Sequence, residues 1–198
     1  MLDQRFVIIG VVLMLIGDLS YFINTLNGKV KPNKVSWLLW SLIPFVVFIA
    51  EIKQGVGLQS LMTLSVGVGT LAIFIASFFN KNAQWKLGAL DVICGLLSFC
   101  GLILWYTTKV GNYAILFSIF ADILAAAPTL VKAYKFPETE KYPAYLLTGV
   151  NGGITLLTVR SWNFATYGFP LYSILLNTVF FILIKFKIGK NKVLSIFH

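Results

Sequence analysis

The amino-acid sequence predicts an all-α membrane protein whose seven transmembrane helices form two parallel three-helix repeats joined by a single linker helix (3+1+3). Three observations predict this fold. Hydrophobic residues make up 58% of the 198 residues and charged residues only 12%, which is about half the charged fraction of a soluble domain. Seven apolar segments are long enough to cross a bilayer. A nine-residue pattern also occurs twice, once in the first and once in the fifth segment.

The seven apolar segments are separated by short loops that contain Gly, Pro and Asn. We expect helices over residues 6–27, 35–52, 57–79, 87–107, 111–134, 142–161 and 165–184. Each is about 18–24 residues long, enough to span a hydrocarbon layer of roughly 30 Å. We expect residues 1–80 to form the first repeat, residues 81–110 the linker helix, and residues 111–198 the second repeat with a cytoplasmic tail.

The repeated pattern reads Asp, an aliphatic residue, five variable residues, Thr and Leu. It begins at Asp18 and at Asp122, and its threonines are Thr25 and Thr129. Each Asp follows the preceding basic residue by thirteen positions, which is roughly 20 Å along a helix. An ionisable residue at that depth is unfavourable in a membrane and is by default a functional candidate. The alternative is a structural carboxyl group that hydrogen-bonds a neighbouring helix.

The spacing within the pattern predicts a polar stripe on one helix face. Seven residues complete about two helical turns, so the Asp and the Thr project from the same side, and Tyr21 shares it in the first copy. Two such stripes facing each other would line a central cavity. We favour Asp122 as the proton-coupling residue, because the small side chains from Ala125 onward leave room for a solute. Tyr21 and Phe22 would fill that room beside Asp18. A carboxyl group that stays protonated and only donates a hydrogen bond is the alternative.

Further polar candidates lie near the middle of the last two segments. Asn151 and Asn177 each offer two hydrogen-bond donors and an acceptor, as needed to hold a hydroxylated or zwitterionic solute. Asn177 is followed by Thr178, and the pair corresponds to Gly69 and its neighbouring threonine in the first repeat. Hydrogen bonding between helices is the alternative role for both asparagines. Among the tryptophans, which are typical of membrane interfaces, Trp40 is the one that we expect to face the cavity.

Two prolines inside predicted helices, Pro44 and Pro128, are candidates for shaping gates. Pro128 has no amide hydrogen for the carbonyl group of Leu124, so we expect a kink there. A kink with a purely structural role is the alternative. Glu51 and Arg160 lie at the outer ends of the second and sixth segments. They are expected either to pair as an outer gate or to remain solvated interfacial charges.

The distribution of basic residues predicts the orientation in the membrane. Of the 16 Lys and Arg residues, four fall on one side: Arg5, Lys53, Lys109 and Arg160. The remaining twelve fall on the other side, in short loops and in the tail. The positive-inside rule therefore places the N-terminus outside and the C-terminus in the cytoplasm. The same distribution accounts for the net charge of +9 without a nucleic-acid partner.

The sequence argues against most enzyme classes, and we expect no cofactor, no metal and no catalytic residues. The only histidine is the terminal His198, so a His-based metal site and a Ser-His pair are missing. Cys94 and Cys100 fall on different faces of one helix and cannot pair. The expected partners are a small-molecule solute and the lipid bilayer, and assembly into a homo-oligomer is left open. Only Asp18 and Asp122 could imitate an enzyme, as an intramembrane aspartyl dyad.

The helix layout resembles the SWEET and PQ-loop transporters, which have three, one and three helices and an external N-terminus. The second repeat is the most similar. The stretch 127–129 (Ala-Pro-Thr), Lys132, the pair 134–135 (Tyr-Lys) and the pair 139–140 (Thr-Glu) are similar to the proline turn, basic stretch and Ser/Thr-Glu that open repeats in that family. Asn177 is similar to the cavity asparagine of its seventh helix. The first repeat departs from the family, with Asn24 and Gly69 where a proline and a second asparagine would stand.

The repeat and the resemblance together lead us to expect a carrier for a small polar solute such as a sugar, an amino acid or a vitamin. It would work by alternating access between its halves, with or without proton coupling. A ligand-binding receptor or sensor on the same fold is the alternative. In that case the loop 132–141, where Glu138 and Glu140 lie among lysines, would present a partner surface. An intramembrane aspartyl enzyme is a third hypothesis.

Overall fold

The chain folds into seven α-helices over the residues that the computed structural model describes, which are 2–79, 82, 85–108 and 111–189. The helices are α1 (Phe6–Leu26), α2 (Lys34–Lys53), α3 (Ser60–Ala76), α4 (Ala89–Thr108), α5 (Gly111–Lys135), α6 (Tyr142–Thr158) and α7 (Phe164–Phe186). A one-turn 3-10 helix, Pro137–Thr139, lies between α5 and α6. The prediction of an all-α protein with seven helices is confirmed.

The helix boundaries agree with the predicted segments to within three residues at each end. Side-chain caps explain two of the starts. The side chain of Asn33 accepts hydrogen bonds from the second and third amide groups after it, at the start of α2. Asn163 and Thr166 exchange reciprocal hydrogen bonds as a capping box at the start of α7. These polar residues therefore end the loops by satisfying amide groups that have no partner inside the helix.

Four helices, α1, α2, α5 and α7, are long and apolar enough to cross a membrane. The helix α3 and the first part of α4 are apolar but shorter. Large apolar side chains point outward from the bundle. Leu19, Leu96 and Leu175, for example, each expose more than half of their own residue surface. A soluble protein rarely exposes large contiguous apolar surfaces. These features are consistent with an integral membrane protein.

The helices pack as a ring of six. Helix α1 packs against α3 and α6, α2 packs against α3 and α5, and α7 packs against α5 and α6. Going around the bundle, the order is therefore α1, α3, α2, α5, α7, α6 and back to α1. Helix α4 lies outside this ring, mainly against α5 and to a smaller extent against α2. The centre of the ring is the place where side chains from six helices can converge.

The two ends of the bundle differ in charge. At one end the amide group of Lys31 donates to the carbonyl oxygen of Thr139 over 3.0 Å. We call this the lysine-rich end, because it carries Lys29, Lys31, Lys34, Lys86, Lys132, Lys135, Lys141, Lys185 and Lys187. At the opposite end the side chain of Gln59 donates to the carbonyl oxygen of Thr158 over 3.2 Å. Lys81, Lys109, Lys190, Lys192 and the rest of the predicted tail lie outside the described residues.

Candidate functional site

A cavity lies at the centre of the six-helix ring. Both aspartates of the repeated pattern line it, Asp18 from α1 and Asp122 from α5, together with Thr70, Tyr172 and Asn177. Its free volume is about 50 Å³, whereas pockets for drug-sized ligands usually measure about 300–1,000 Å³. The free space of the cavity is thus limited to a small chemical group.

Asp18 lies in the cavity wall where α1 meets α3. Its carboxyl group occupies the space beside Gly69, so closely that a β-carbon on Gly69 would overlap it. The residue is only 7% exposed. None of the described residues donates a hydrogen bond to its carboxyl group. Since a largely buried carboxylate without a hydrogen-bond partner is disfavoured, a bound proton or a cation beside it would stabilise this group.

Asp122 has a different environment. The hydroxyl group of Tyr172, on α7, donates a hydrogen bond to its carboxylate. Tyr172 was not predicted from the sequence, because its spacing from other polar residues forms no recognisable pattern. The alanines on which the preference for Asp122 was based do not line the cavity. Ala125 is buried, and its carbonyl oxygen accepts a hydrogen bond from Ser36 over 2.6 Å. The alanines of α5 therefore do not create the space beside Asp122.

The two threonines of the pattern do not line the cavity. Thr25 donates to the carbonyl oxygen of Tyr21 over 3.0 Å, within its own helix. Thr129 donates to the hydroxyl group of Ser36 over 2.8 Å and so joins α5 to α2. Both are fully buried. Their hydroxyl groups serve helix packing, as Thr hydroxyls often do when a backbone carbonyl group or a neighbouring helix lies within reach.

The predicted asparagine pair is divided by the structure. Asn177 lines the cavity, and its side-chain amide donates to the carbonyl oxygen of Ser173 over 2.9 Å. Asn151 lies outside the cavity lining, where α6 meets α1 and α3, and its amide nitrogen is 3.5 Å from the hydroxyl oxygen of Ser65. Thr178 lines a shallow groove between α6 and α7. One residue further along a helix turns the side chain by about 100°, which takes Thr178 away from the cavity.

Both predicted gating prolines are buried inside continuous helices, Pro44 in α2 and Pro128 in α5. Because Pro44 has no amide hydrogen, the carbonyl group of Trp40 loses its usual partner one turn earlier. The hydroxyl group of Thr70 can supply a replacement, since it lies 2.7 Å from that carbonyl oxygen and equally close to that of Val66. Pro44 is therefore connected to the cavity wall through a bond between α2 and α3. A third proline, Pro170, lies inside α7.

Five aromatic rings form a continuous layer that closes the cavity towards the lysine-rich end. Ring centroids are separated by 4.7 Å for Tyr21 and Trp37, and by 5.4 Å for Trp37 and Trp40. The chain continues over 5.6 Å from Trp40 to Phe180 and over 4.5 Å from Phe180 to Tyr145. Trp40 lines the cavity as expected from the sequence, and so does Trp37. In the described part of the chain, neither indole N–H has a hydrogen-bond acceptor.

A buried polar network lies directly behind this aromatic layer. The carboxylate of Glu140 accepts hydrogen bonds from Tyr21 over 2.6 Å and from Tyr145 over 2.9 Å. It also forms an ion pair with Lys132 over 2.6 Å, and Lys132 donates to the carbonyl oxygen of Lys31. We call these residues the Glu140 network. The expectation that Glu140 presents an exposed partner surface is wrong, because its side chain is 0% exposed.

The predicted outer pair is not formed. Glu51 is buried and accepts a hydrogen bond from Thr63 over 3.0 Å, whereas Arg160 is exposed. Glu51 is therefore neither solvated nor paired with Arg160. Its second carboxylate oxygen is buried, with no hydrogen-bond partner in the part of the chain that the structure describes.

The polar groups of the cavity do not form a metal site. Over the described ranges, no three His, Cys, Asp or Glu residues lie close enough together to hold a metal ion. The arrangement can instead hold a small solute between two carboxyl groups and a wall of aromatic rings. Comparisons of the chain with protein-family models, with curated proteins and with solved structures gave no match.

Proposed function

We propose that the protein is a membrane carrier for a small polar solute, working by alternating access between two halves. The observation that carries this proposal is the narrow cavity at the centre of the ring, with Asp18 and Asp122 in its wall. Ionisable residues inside a membrane bundle typically mark solute or ion pathways. Carriers typically place such a site near the bilayer midplane, between structural repeats.

The helix contacts support a 3+1+3 arrangement with residues 1–80, 81–110 and 111–198 as its parts. If α1, α2 and α3 correspond to α5, α6 and α7, the contact of α1 with α3 has its counterpart in α5 with α7. Likewise α2 with α3 corresponds to α6 with α7, and α1 with α6 corresponds to α5 with α2. Every main contact of the ring then has a partner, as expected for parallel repeats related by an axis along the membrane normal. This layout is the one that resembles the SWEET and PQ-loop transporters.

Closure at the lysine-rich end supports alternating access. The Glu140 network joins Tyr21 and Lys31 of the first half to Lys132, Glu140 and Tyr145 of the second. A solute larger than the present free space requires the halves to move apart. Separation at this end would break the network and the aromatic layer together, opening the cavity on that side only. We place this end in the cytoplasm because it carries most of the lysines.

Uptake into liposomes tests the proposal. Protein purified and reconstituted without its solute should show saturable uptake of some solute from a panel of labelled sugars, amino acids, vitamins and amines. Empty liposomes and the double variant Asp18→Asn, Asp122→Asn serve as controls, and the variant should show less than a tenth of the uptake. Specific binding with no flux would replace the carrier by the receptor hypothesis. Conversion of the compound into a product would replace it by the enzyme hypothesis.

A further inference from the structure

We propose that the cavity binds a small organic ammonium ion, with Asp18 as its counter-ion and the rings of Trp37, Trp40 and Phe180 as its wall. The ammonium ion would be the solute of the proposed carrier. Its transport depends on that proposed function, whereas its binding does not. Binding itself follows from the chemistry of the cavity, which differs from that of a site for a neutral sugar or an anion.

The charge of the cavity lining is the first reason. Two carboxyl groups, those of Asp18 and Asp122, face the cavity, and among the described residues no Lys, Arg or His lines it. The nearby cation Lys132 lies behind the aromatic layer and is already paired with Glu140. Charges interact more strongly in a site from which water is excluded. A positively charged ligand would therefore compensate the negative charge of the cavity carboxylates, for which the described residues of the cavity lining supply no cation.

The second reason is that four polar side chains of the lining already use their donors. Thr70 donates to the carbonyl oxygen of Trp40 or to that of Val66, each at 2.7 Å. Asn177 donates to the carbonyl oxygen of Ser173 over 2.9 Å, and Thr148 to that of Ala144 over 2.9 Å. Tyr172 donates to Asp122. A sugar or an anion needs several free hydroxyl, amide or cationic donors in its site, whereas among the described residues the free donors of this lining include only the single indole N–H groups of Trp37 and Trp40 on its aromatic wall. An ammonium ion needs acceptors and negative charge instead.

Asp18 is better suited than Asp122 to face the charge. The carboxylate of Asp122 already accepts a hydrogen bond from Tyr172, while that of Asp18 receives none from the described residues. The Asp18 carboxyl group also packs directly against the backbone of Gly69, which has no side chain to pair with it. The incoming cation would thus become the partner that the Asp18 carboxylate lacks among the described residues, whereas the Asp122 carboxylate already has Tyr172 as a hydrogen-bond partner.

The aromatic layer supplies the rest of the site. Trp37, Trp40, Tyr145 and Phe180 all line the cavity, and the face of an aromatic ring attracts a cation, most strongly for Trp. The indole N–H groups of Trp37 and Trp40 have no acceptor within the described residues. A hydroxyl oxygen on the same ligand would supply an acceptor for one of them. The structure therefore points to a hydroxylated ammonium compound rather than to a bare cation.

The test compares charged and neutral probes of the same shape on the purified wild-type protein. Choline is compared with 3,3-dimethylbutan-1-ol, and ethanolamine with propan-1-ol, by thermal shift and by isothermal titration calorimetry. We expect at least one ammonium probe to bind, and its neutral counterpart to bind at least tenfold more weakly. Because this comparison needs no variant, its result does not depend on whether any substitution folds.

Two variants then assign the site. Asp18→Asn should weaken binding of the ammonium probe at least tenfold, whereas the same substitution at Asp3, which is exposed near the N-terminus, should leave it unchanged. Size-exclusion chromatography establishes that each variant is folded. Equal binding by wild type and folded Asp18→Asn would overturn the assignment of Asp18 as counter-ion.

The remaining outcomes separate this inference from the proposed function. Binding of glucose or of the neutral probes as tight as that of the ammonium probes would overturn the inference, and so would stabilisation by sodium chloride alone to the same extent. Uptake of a neutral solute into liposomes, with no binding of ammonium probes, would also overturn it while leaving the carrier intact. Binding of choline or ethanolamine without flux would support the inference and contradict the carrier.

Discussion

The phenol of Tyr172 donates a hydrogen bond to the carboxylate of Asp122, while no described residue donates one to the carboxyl group of Asp18. The two aspartates occupy equivalent positions in a repeated sequence pattern and line the same cavity. Their difference comes from the neighbouring helix, which supplies a hydroxyl group in one case and the bare backbone of Gly69 in the other. The two copies of the sequence pattern thus place their aspartates in different environments within one cavity.

Loss of the Tyr172 hydroxyl group should destabilise the protein through Asp122. We expect Tyr172→Phe to lower the free energy of unfolding by about 1–2 kcal/mol, because a hydrogen bond to a carboxylate is stronger than a neutral one although bonds inside membranes often contribute less. Denaturation in detergent measures it, with Tyr113→Phe at an exposed position as the control. In a double-mutant cycle with Asp122→Asn, additive effects would show that the two side chains are not coupled.

A methyl group at Gly69 should disturb Asp18. The β-carbon of Gly69→Ala would overlap the Asp18 carboxyl group, so either the carboxyl group or the contact between α1 and α3 must shift. We expect a loss of about 1–3 kcal/mol of stability, as for other overpacked interiors, and at least a tenfold loss of uptake or ligand binding.

Gly153 provides the matched control for this substitution, because nothing lies within 4 Å of a β-carbon placed there. Gly153→Ala should be neutral or should stabilise α6 by up to about 1 kcal/mol, since Ala has the higher helix propensity. Thermal denaturation and uptake are measured on both variants side by side. If the two variants behave alike, the close approach of Gly69 to Asp18 has no consequence.

Substitutions of Lys132 and Glu140, which form a buried ion pair, should have strongly coupled effects on stability. Removing one partner, as in Lys132→Met or Glu140→Leu, leaves an uncompensated charge in a buried place, and we expect a loss of about 3–5 kcal/mol. The double variant, which buries no charge, should recover at least half of that loss. Equilibrium unfolding of the three variants gives the coupling energy directly. Nearly equal stabilities of the single variants and the wild type would mean that the pair is solvated.

The orientation in the membrane should follow the lysines. A reporter that is active only in the cytoplasm should give a signal when fused after residue 198 and none when fused before residue 1, because the lysine-rich end stays on the cytoplasmic side. A second reporter that is active only outside should show the reverse. A cytoplasmic signal from the N-terminal fusion would invert the topology, and the Glu140 network would then close the external side.

The class of protein and the positions of its helices could be predicted from the sequence because both depend on local composition. Segments of about 20 apolar residues, interrupted by Gly, Pro and Asn, define membrane-length helices whatever their neighbours are. The repeated Asp was recognisable in the same way, since its depth can be counted along one helix. The cavity was inferred from the shared face of the pattern, and Asp18 and Asp122 do line it.

Only the tertiary structure decided which side chains meet. Tyr21 and Glu140, which are 119 residues apart, share a hydrogen bond. Glu140 was expected to be a surface charge, but it is a buried hydrogen-bond acceptor. Thr25, Thr129, Asn151 and Thr178 were expected in the cavity but do not line it. Which partner a hydroxyl or amide group meets depends on how its helix is rotated and which helices cross it. Such long-range pairing depends on the rotation of each helix about its own axis. Hydrophobic periodicity does not determine that rotation sharply, and an error of one residue already turns a side chain by about 100°.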